Sequence, residues 1–211
     1  MSTEIEAKFI VPDRVSYERV RALGRLGSCV LLDARVQDVR DEYMDTPDRA
    51  LLAAGYACRR RELGGAVIMT LKSVLSPPGE VHRREELEVN LPPFSSARIP
   101  ASAWPASAAR RKVQELAGAR ELQVLFHLDQ RRIVREVVDA GRVTAVASLD
   151  EVSLSVPGGS LQQWWELELE LAEGGTEADL QAMSAWVRAA LGLKASPVSK
   201  FERALQVIQG H

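Results

Sequence analysis

The sequence predicts an α+β fold built around one antiparallel β-sheet or barrel. Two observations carry this reading. Apolar and charged residues alternate with period two in segment after segment, the mark of strands with one apolar and one charged face. Turn signals such as Pro12-Asp13, Gly64-Gly65 and Gly141 separate these segments, and few helical stretches intervene.

Taken in order, residues 3–11 place Glu4, Glu6 and Lys8 on one side and Ile5, Ala7 and Phe9 on the other, a strand. Pro12 and Asp13 stop it and offer an N-cap for a helix over 13–27, where Val15, Val20, Leu23 and Leu26 form an apolar stripe. A strand over 35–46 ends in Asp45-Thr46-Pro47-Asp48, a turn into a short helix at 49–54 closed by Gly55. Asp45 and Thr46 read there as structural caps. Residues 56–63 and 66–73 flank Gly64-Gly65 as a hairpin. Ser76-Pro77-Pro78-Gly79 reads as a loop, 81–91 as a strand, 92–105 as an irregular connector and 107–117 as a helix. Strands over 122–138, 142–155 and 163–172 follow. A helix over 177–191 carries Leu180, Met183, Trp186, Val187 and Leu191 at helical spacing, and Ser196-Pro197 opens a last helix over 199–208.

The 211 residues suit one domain, 1–211, with a sizeable core. Apolar residues at 46% and charged residues at 27% are a globular balance that argues against disorder. A net charge of −2 gives no reason to expect a nucleic-acid or membrane partner. Two cysteines, Cys29 and Cys58, make no disulfide framework and fit a reducing compartment. The opening residues have no basic-then-apolar leader pattern, and no apolar run reaches the ~18 residues of a membrane span. A cytoplasmic protein is expected.

The charged faces are the informative feature. Glu166, Glu168 and Glu170 oppose Trp165, Leu167, Leu169 and Leu171, the cleanest alternation in the chain. Arg59 and Arg61 share one face of their strand, Lys72 ends the next, and Arg84, Glu86 and Glu88 share a face of another. Such a sheet is either open with one wet side, or closed with helices over the apolar outside and charges lining a water-filled interior. Arg and Lys grip a polyanion, Arg by a bidentate fork and Lys as a point charge. Carboxylates repel phosphate but hold a hard divalent cation that bridges to it. Both signs on one face therefore point to phosphate plus metal.

Glu4-Ile5-Glu6-Ala7-Lys8 resembles the ExExK signature of the CYTH proteins, the triphosphate tunnel metalloenzymes. Tyr43-Met44-Asp45-Thr46-Pro47 is similar to the family's Y-x-D-T-P segment, Cys58-Arg59-Arg60-Arg61 to its L-R-x-R, and Met69-Thr70-Leu71-Lys72 to its L-T-x-K. Arg84-Glu85-Glu86, Ser148-Leu149-Asp150, Glu166-Leu167-Glu168 and Ser199-Lys200-Phe201-Glu202-Arg203 extend the resemblance to the chain's end. ExExK alone is short and weak; the ordered set is specific. It implies a closed eight-stranded antiparallel tunnel with helices packed outside, acting on triphosphates with Mg²⁺ or Mn²⁺, and looks most like the bacterial inorganic triphosphatase branch. Cys58 and Arg60 depart from the family's apolar residues, and Arg60 is expected to point outward.

The resemblance implies Arg59, Arg61, Lys72, Arg84 and one of Arg131 or Arg132 as the triphosphate grip, with Arg203 beside them. The register of Gln130-Arg131-Arg132 is ambiguous, because a one-residue slip exchanges the faces; Arg131 is favoured. Glu4, Glu6, Lys8 and Lys200 form the reacting end. Glu4, Glu6, Glu86, Asp150, Glu166, Glu168 and Glu170 are the metal candidates. Plainer readings stand beside these: Lys200 as an exposed helix residue, Glu88 and Glu170 as solvated strand ends, His82 as a wall residue, and Trp164 and Trp165 as packing. The partner is a small triphosphate molecule, and a homodimer is left open. Competing functions are a class IV-type adenylyl cyclase, a thiamine or nucleoside triphosphatase, and a non-catalytic polyphosphate- or nucleotide-binding module.

Overall fold

The structure is a computed structural model describing residues 2–74, 81–93, 95, 100–155 and 161–209. The loop expected at Ser76–Gly79 and part of the 92–105 connector lie outside these residues. The chain runs β1 (Ser2–Val11), α1 (Arg14–Arg21), β2 (Arg25–Leu26), β3 (Cys29–Leu31), β4 (Arg35–Asp45), α2 (Ala50–Ala53), β5 (Tyr56–Leu63) and β6 (Ala66–Ser73). It continues with β7 (Val81–Leu91), α3 (Ala108–Ala117), β8 (Gln123–Asp139), β9 (Arg142–Ser155), β10 (Gln162–Leu171), α4 (Glu177–Trp186), β11 (Lys194–Ala195) and α5 (Lys200–Gln209). Among the described residues no helix is long and apolar enough to cross a membrane.

Eight strands close into an antiparallel barrel in the order β8, β4, β5, β6, β7, β1, β10, β9 and back to β8. The closed form of the two sheet solutions is therefore the one adopted. Local chemistry builds it as the sequence suggests. Gly64 and Gly65 both take positive φ, 57° and 85°, the left-handed pair that lets a two-residue hairpin match strand twist. Asp45 Oδ1 accepts from the Thr46 and Leu51 amides, its Oδ2 accepts from Leu52, and Thr46 Oγ1 accepts from Ala50, so both residues cap α2 as expected.

Two expectations change. The helix expected over 13–27 ends at Arg21, because the chain turns back through the short β2–β3 hairpin at Gly27, whose φ is +62°. Strands of two and three residues carry no readable periodicity. The hairpin docks on β8, where the Arg135 guanidinium donates to the Leu31 and Leu32 carbonyls.

The second change concerns the helices. α1 and α4 cover one apolar stretch of the outer wall, meeting Phe9, Leu149, Leu167 and Leu169. α3 covers another, against Met69, Leu71, Leu87 and Val89. The last helix was also expected outside. Instead α5 closes one end of the barrel, packing Phe201 and Ala204 on Tyr43, Phe126, Leu128, Leu154 and Trp164, which project from the inner face. The Phe201 ring lies 5.2 Å from Tyr43 and 5.9 Å from Phe126. An amphipathic stripe fixes which helix face is buried, not which side of the barrel buries it. Burying Phe201 is worth about 2–3 kcal/mol, enough to hold the helix start firmly in place.

Candidate functional site: a charged tunnel

Pairing registers fix which side chains share the inner face. Glu4 is opposite Arg84 and Glu6 opposite His82 across β1–β7, while Lys8 is opposite Glu168 and Glu6 opposite Glu170 across β1–β10. Arg59 is opposite Tyr43, Arg61 opposite Asp41, Lys72 opposite Glu86, and Arg132 opposite Asp150. They surround a cavity of about 240 Å³. Seven basic and six acidic side chains line it, from six strands and the start of α5.

α5 is aimed by its cap. Ser199 Oγ accepts from the Glu202 amide at 3.2 Å, and Glu202 Oε2 accepts from the Ser199 amide at 2.8 Å, a reciprocal capping box. That lock delivers Lys200, only 5% exposed, into the tunnel; the exposed-helix reading of Lys200 is thus set aside. Its Nζ lies 2.7 Å from Glu168, 2.8 Å from Asp150 and 3.8 Å from Glu166. Lys8 Nζ lies 3.1 Å from Glu6 and 3.2 Å from Glu168. Lys72 contacts Glu4 and lies 3.5 Å from Glu6. Burial works against the charge on Lys8 and Lys200, yet the surrounding carboxylates outweigh it and raise both pKa values above the ordinary lysine value. For Lys72 burial wins and its pKa is lowered.

The arginines are held by carboxylates behind the lining. Arg61 meets both oxygens of Asp41, Nε at 2.7 Å and Nη2 at 2.8 Å. Arg132 does the same to Asp150, both at 2.7 Å, and reaches Glu168 at 2.9 Å. Burial would raise the pKa of Asp41, but Arg59 and Arg61 overcome it and hold that pKa at about 2. Arg132 and Lys200 likewise keep Asp150 low against its burial. Glu166 goes the other way: burial pushes it up, and Lys200 and the Trp164 indole, which donates at 2.6 Å, do not compensate.

The structure sorts the expected residues plainly. Glu4, Glu6, Lys8, Arg59, Arg61, Lys72, Arg84, Glu86, Arg132, Glu168, Glu170 and Lys200 line the cavity. Glu88 and Glu170 do so at an exposed rim, in line with the solvated strand-end reading. Asp150 and Glu166 sit just behind. Arg131 is corrected: it is exposed on the outer wall opposite Glu151, and the inward base is Arg132. Outward Ile133 and Val137, packed in the core that α1 and α4 cover, set that register. Arg203 does not reach the cavity lining; its guanidinium stacks on Trp164 at 4.9 Å. Trp165 packs outward at 6.3 Å from Tyr17, so the two tryptophans are packing residues on opposite faces. His82 is a buried wall residue whose Nε2 meets the Ser196 carbonyl. Arg60 is outward, bound to Glu42 and the Ser95 carbonyl. Sequence reading missed Asp41, Tyr43 and Gln130; Asp41 sits between Arg40 and Glu42, and three successive charges hide any alternation.

Whether a cation fits is decided by the donor set. The lining's net charge is +1, and Asp41, Asp150 and Glu166 behind it bring the total to −2. Protein charge alone therefore does not neutralise a triphosphate, while hard carboxylate oxygens suited to Mg²⁺ or Mn²⁺ abound. Among the described residues no three His, Cys, Asp or Glu side chains are preassembled around one point; the facing carboxylates are turned to lysines. The buried Nε atoms of Arg59 and Arg84 have no hydrogen-bond partner among the described residues, a mark of a site built for an acceptor.

The CYTH domain model matches residues 2–205. The chain belongs to the CYTH family. Members of this family are metal-dependent triphosphate tunnel proteins, which agrees with the inward acids and bases. A putative adenylyl cyclase from Hippeastrum, described as having a dominant triphosphatase activity, is similar in fold: 20% identity, TM-score 0.72, 94% of this chain and 93% of that one. A putative adenylate cyclase from Bacillus halodurans matches at 18% identity, TM-score 0.63, 96% of this chain and 98% of that one. The Mimivirus capping enzyme triphosphatase matches at 11% identity, TM-score 0.53, 91% of this chain and 90% of that one. Across this CYTH fold the neighbours carry different activities in their names, so likeness gives the architecture and leaves the branch open.

Proposed function

We propose that this CYTH protein is a metal-dependent triphosphatase that releases the terminal phosphate of inorganic triphosphate. The observation that carries it is the convergence of seven bases and six carboxylates on one small cavity. Pockets for drug-sized ligands span about 300–1,000 Å³. At about 240 Å³, this one suits a bare chain of phosphates better than an enclosed nucleoside triphosphate.

Arg59, Arg61, Arg84, Arg132 and Lys72 grip the phosphate oxygens, the arginines with directional donors and Lys72 as a point charge. Lys8 and Lys200 hold positive charge where the terminal phosphoryl group departs. Phosphoryl transfer needs little covalent help, so positioning and charge neutralisation supply most of the effect. Glu4, Glu6, Glu168 and Glu170, with Glu86 nearby and Asp150 and Glu166 behind, are the carboxylates that would hold Mg²⁺ or Mn²⁺. Such an ion would neutralise phosphate charge and would lower the pKa of an attacking water.

The test is a substrate panel. The protein is incubated with tripolyphosphate, ATP and thiamine triphosphate, each with Mg²⁺ or Mn²⁺, and phosphate, pyrophosphate and cyclic nucleotide are measured. Phosphate release fastest from tripolyphosphate is expected. A cyclic product, or binding without turnover of any of the three, overturns the proposal.

A further inference from the structure

We infer that Asp41 is a positioning residue that aims the Arg61 guanidinium group at the bound polyphosphate, and that it is not a metal ligand. The inference rests on the triphosphatase reading and deepens it.

Asp41 is 0% exposed and does not line the cavity. Both its oxygens are taken: Oδ1 by Arg61 Nε at 2.7 Å, and Oδ2 by Arg61 Nη2 at 2.8 Å and Gln130 Nε2 at 2.6 Å. Arg59 Nη1 approaches Oδ2 at 3.9 Å. Buried behind the lining with both oxygens bonded, Asp41 offers no oxygen at the cavity surface. A two-point fork fixes the plane of the Arg61 guanidinium and leaves Nη1 free to donate elsewhere. Arg61 itself lines the cavity, so the carboxylate sets the direction of a donor that reaches the anion. Gln130 holds the carboxylate in turn, from β8, across the barrel wall.

The sign of the effect separates this role from a simpler one. Asp41 carries a negative charge beside an anion site. Coulomb attraction alone predicts that removing the charge tightens polyphosphate binding. Positioning predicts the reverse, because a freed guanidinium must be ordered on binding and leaves its best geometry.

The experiment is calorimetric titration of tripolyphosphate into the full chain with chelator present, so that no metal contributes, for wild type, Asp41→Asn, Gln130→Met and Arg61→Lys, followed by KM and kcat with Mn²⁺. Wild type is expected to bind. Asp41→Asn is expected to bind about tenfold more weakly, with KM raised more than kcat is lowered and an unchanged midpoint for Mn²⁺ activation. Gln130→Met touches no cavity atom and removes no charge; it is expected to weaken binding about threefold, and it tests the inference even if Asp41→Asn does not fold. The double variant of Asp41→Asn with Arg61→Lys is expected to lose no more than the worse single variant. Equal or tighter binding by Asp41→Asn, unchanged binding by Gln130→Met, or additive losses overturn the inference. Failure of wild type to turn over tripolyphosphate with Mn²⁺ instead overturns the triphosphatase reading.

Discussion

The carboxylates inside this barrel form two layers with different partners. The front layer, Glu4, Glu6 and Glu168, faces the cavity and is met chiefly by lysines: Lys8, Lys72 and Lys200. The back layer, Asp41 and Asp150, is fully withdrawn from water and gripped by arginine forks from Arg61 and Arg132. A lysine ammonium is a movable point charge on a flexible stem; a guanidinium fork is directional and planar. On the proposed reading, the front layer is the one that exchanges a lysine for a divalent cation. The back layer is scaffolding whose disruption leaves a buried charge unpaired. Glu166 shows that burial alone does not decide protonation. It neighbours Asp150 across β9–β10 and is equally buried, yet its pKa is raised while that of Asp150 is lowered, because only Asp150 has an arginine fork.

The largest contrast comes from changing the front layer. Glu6→Gln removes a carboxylate that faces the cavity, and turnover of tripolyphosphate is expected to fall about a hundredfold or more. Metal-free binding of tripolyphosphate, measured by calorimetry, is expected to hold or tighten, because a negative charge has gone. This is opposite in sign to Asp41→Asn, and similar behaviour of the two variants would erase the distinction between layers.

A smaller effect appears in acid. The Asp41 pKa is depressed from 3.8 to about 2. A depressed carboxylate contributes stability above its unfolded pKa and loses it as pH falls through its folded pKa. The contribution is about 2 kcal/mol. The gap in urea-unfolding stability between wild type and Asp41→Asn should be full at pH 6 and shrink between pH 4 and pH 2. A gap that stays constant over that range removes the arginine fork as its cause.

The smallest effect is expected on the outer wall. Arg131→Ala should leave KM for tripolyphosphate within about twofold of wild type, whereas Arg132→Ala should raise it about tenfold or more. Equal sensitivity at both positions would mean that the β8 register differs from the one described.

Most of the barrel strands and the inward acids and bases were legible because period two in a strand assigns each side chain to a face. What was not legible had no periodic signal. Adjacent Arg131 and Arg132 carry no register by themselves; the outward packing of Ile133 and Val137 supplies it. The β2–β3 hairpin is too short to show alternation. The apolar stripe of α5 was readable, but its burial against inward Tyr43, Phe126 and Trp164 depends on aromatic side chains from separate strands meeting at one end. Asp41 was hidden between Arg40 and Glu42, although its two-residue offset from Tyr43 placed it on the face that meets Arg59 and Arg61.

The most direct test is reversible chelation during turnover. Phosphate release from tripolyphosphate is followed with Mg²⁺ or Mn²⁺, then with excess chelator, then with metal restored. The charged tunnel predicts release that stops on chelation and resumes on restoration. Turnover indifferent to chelation, or none with any triphosphate and either metal, would contradict a tunnel whose carboxylates hold a cation against a gripped polyphosphate.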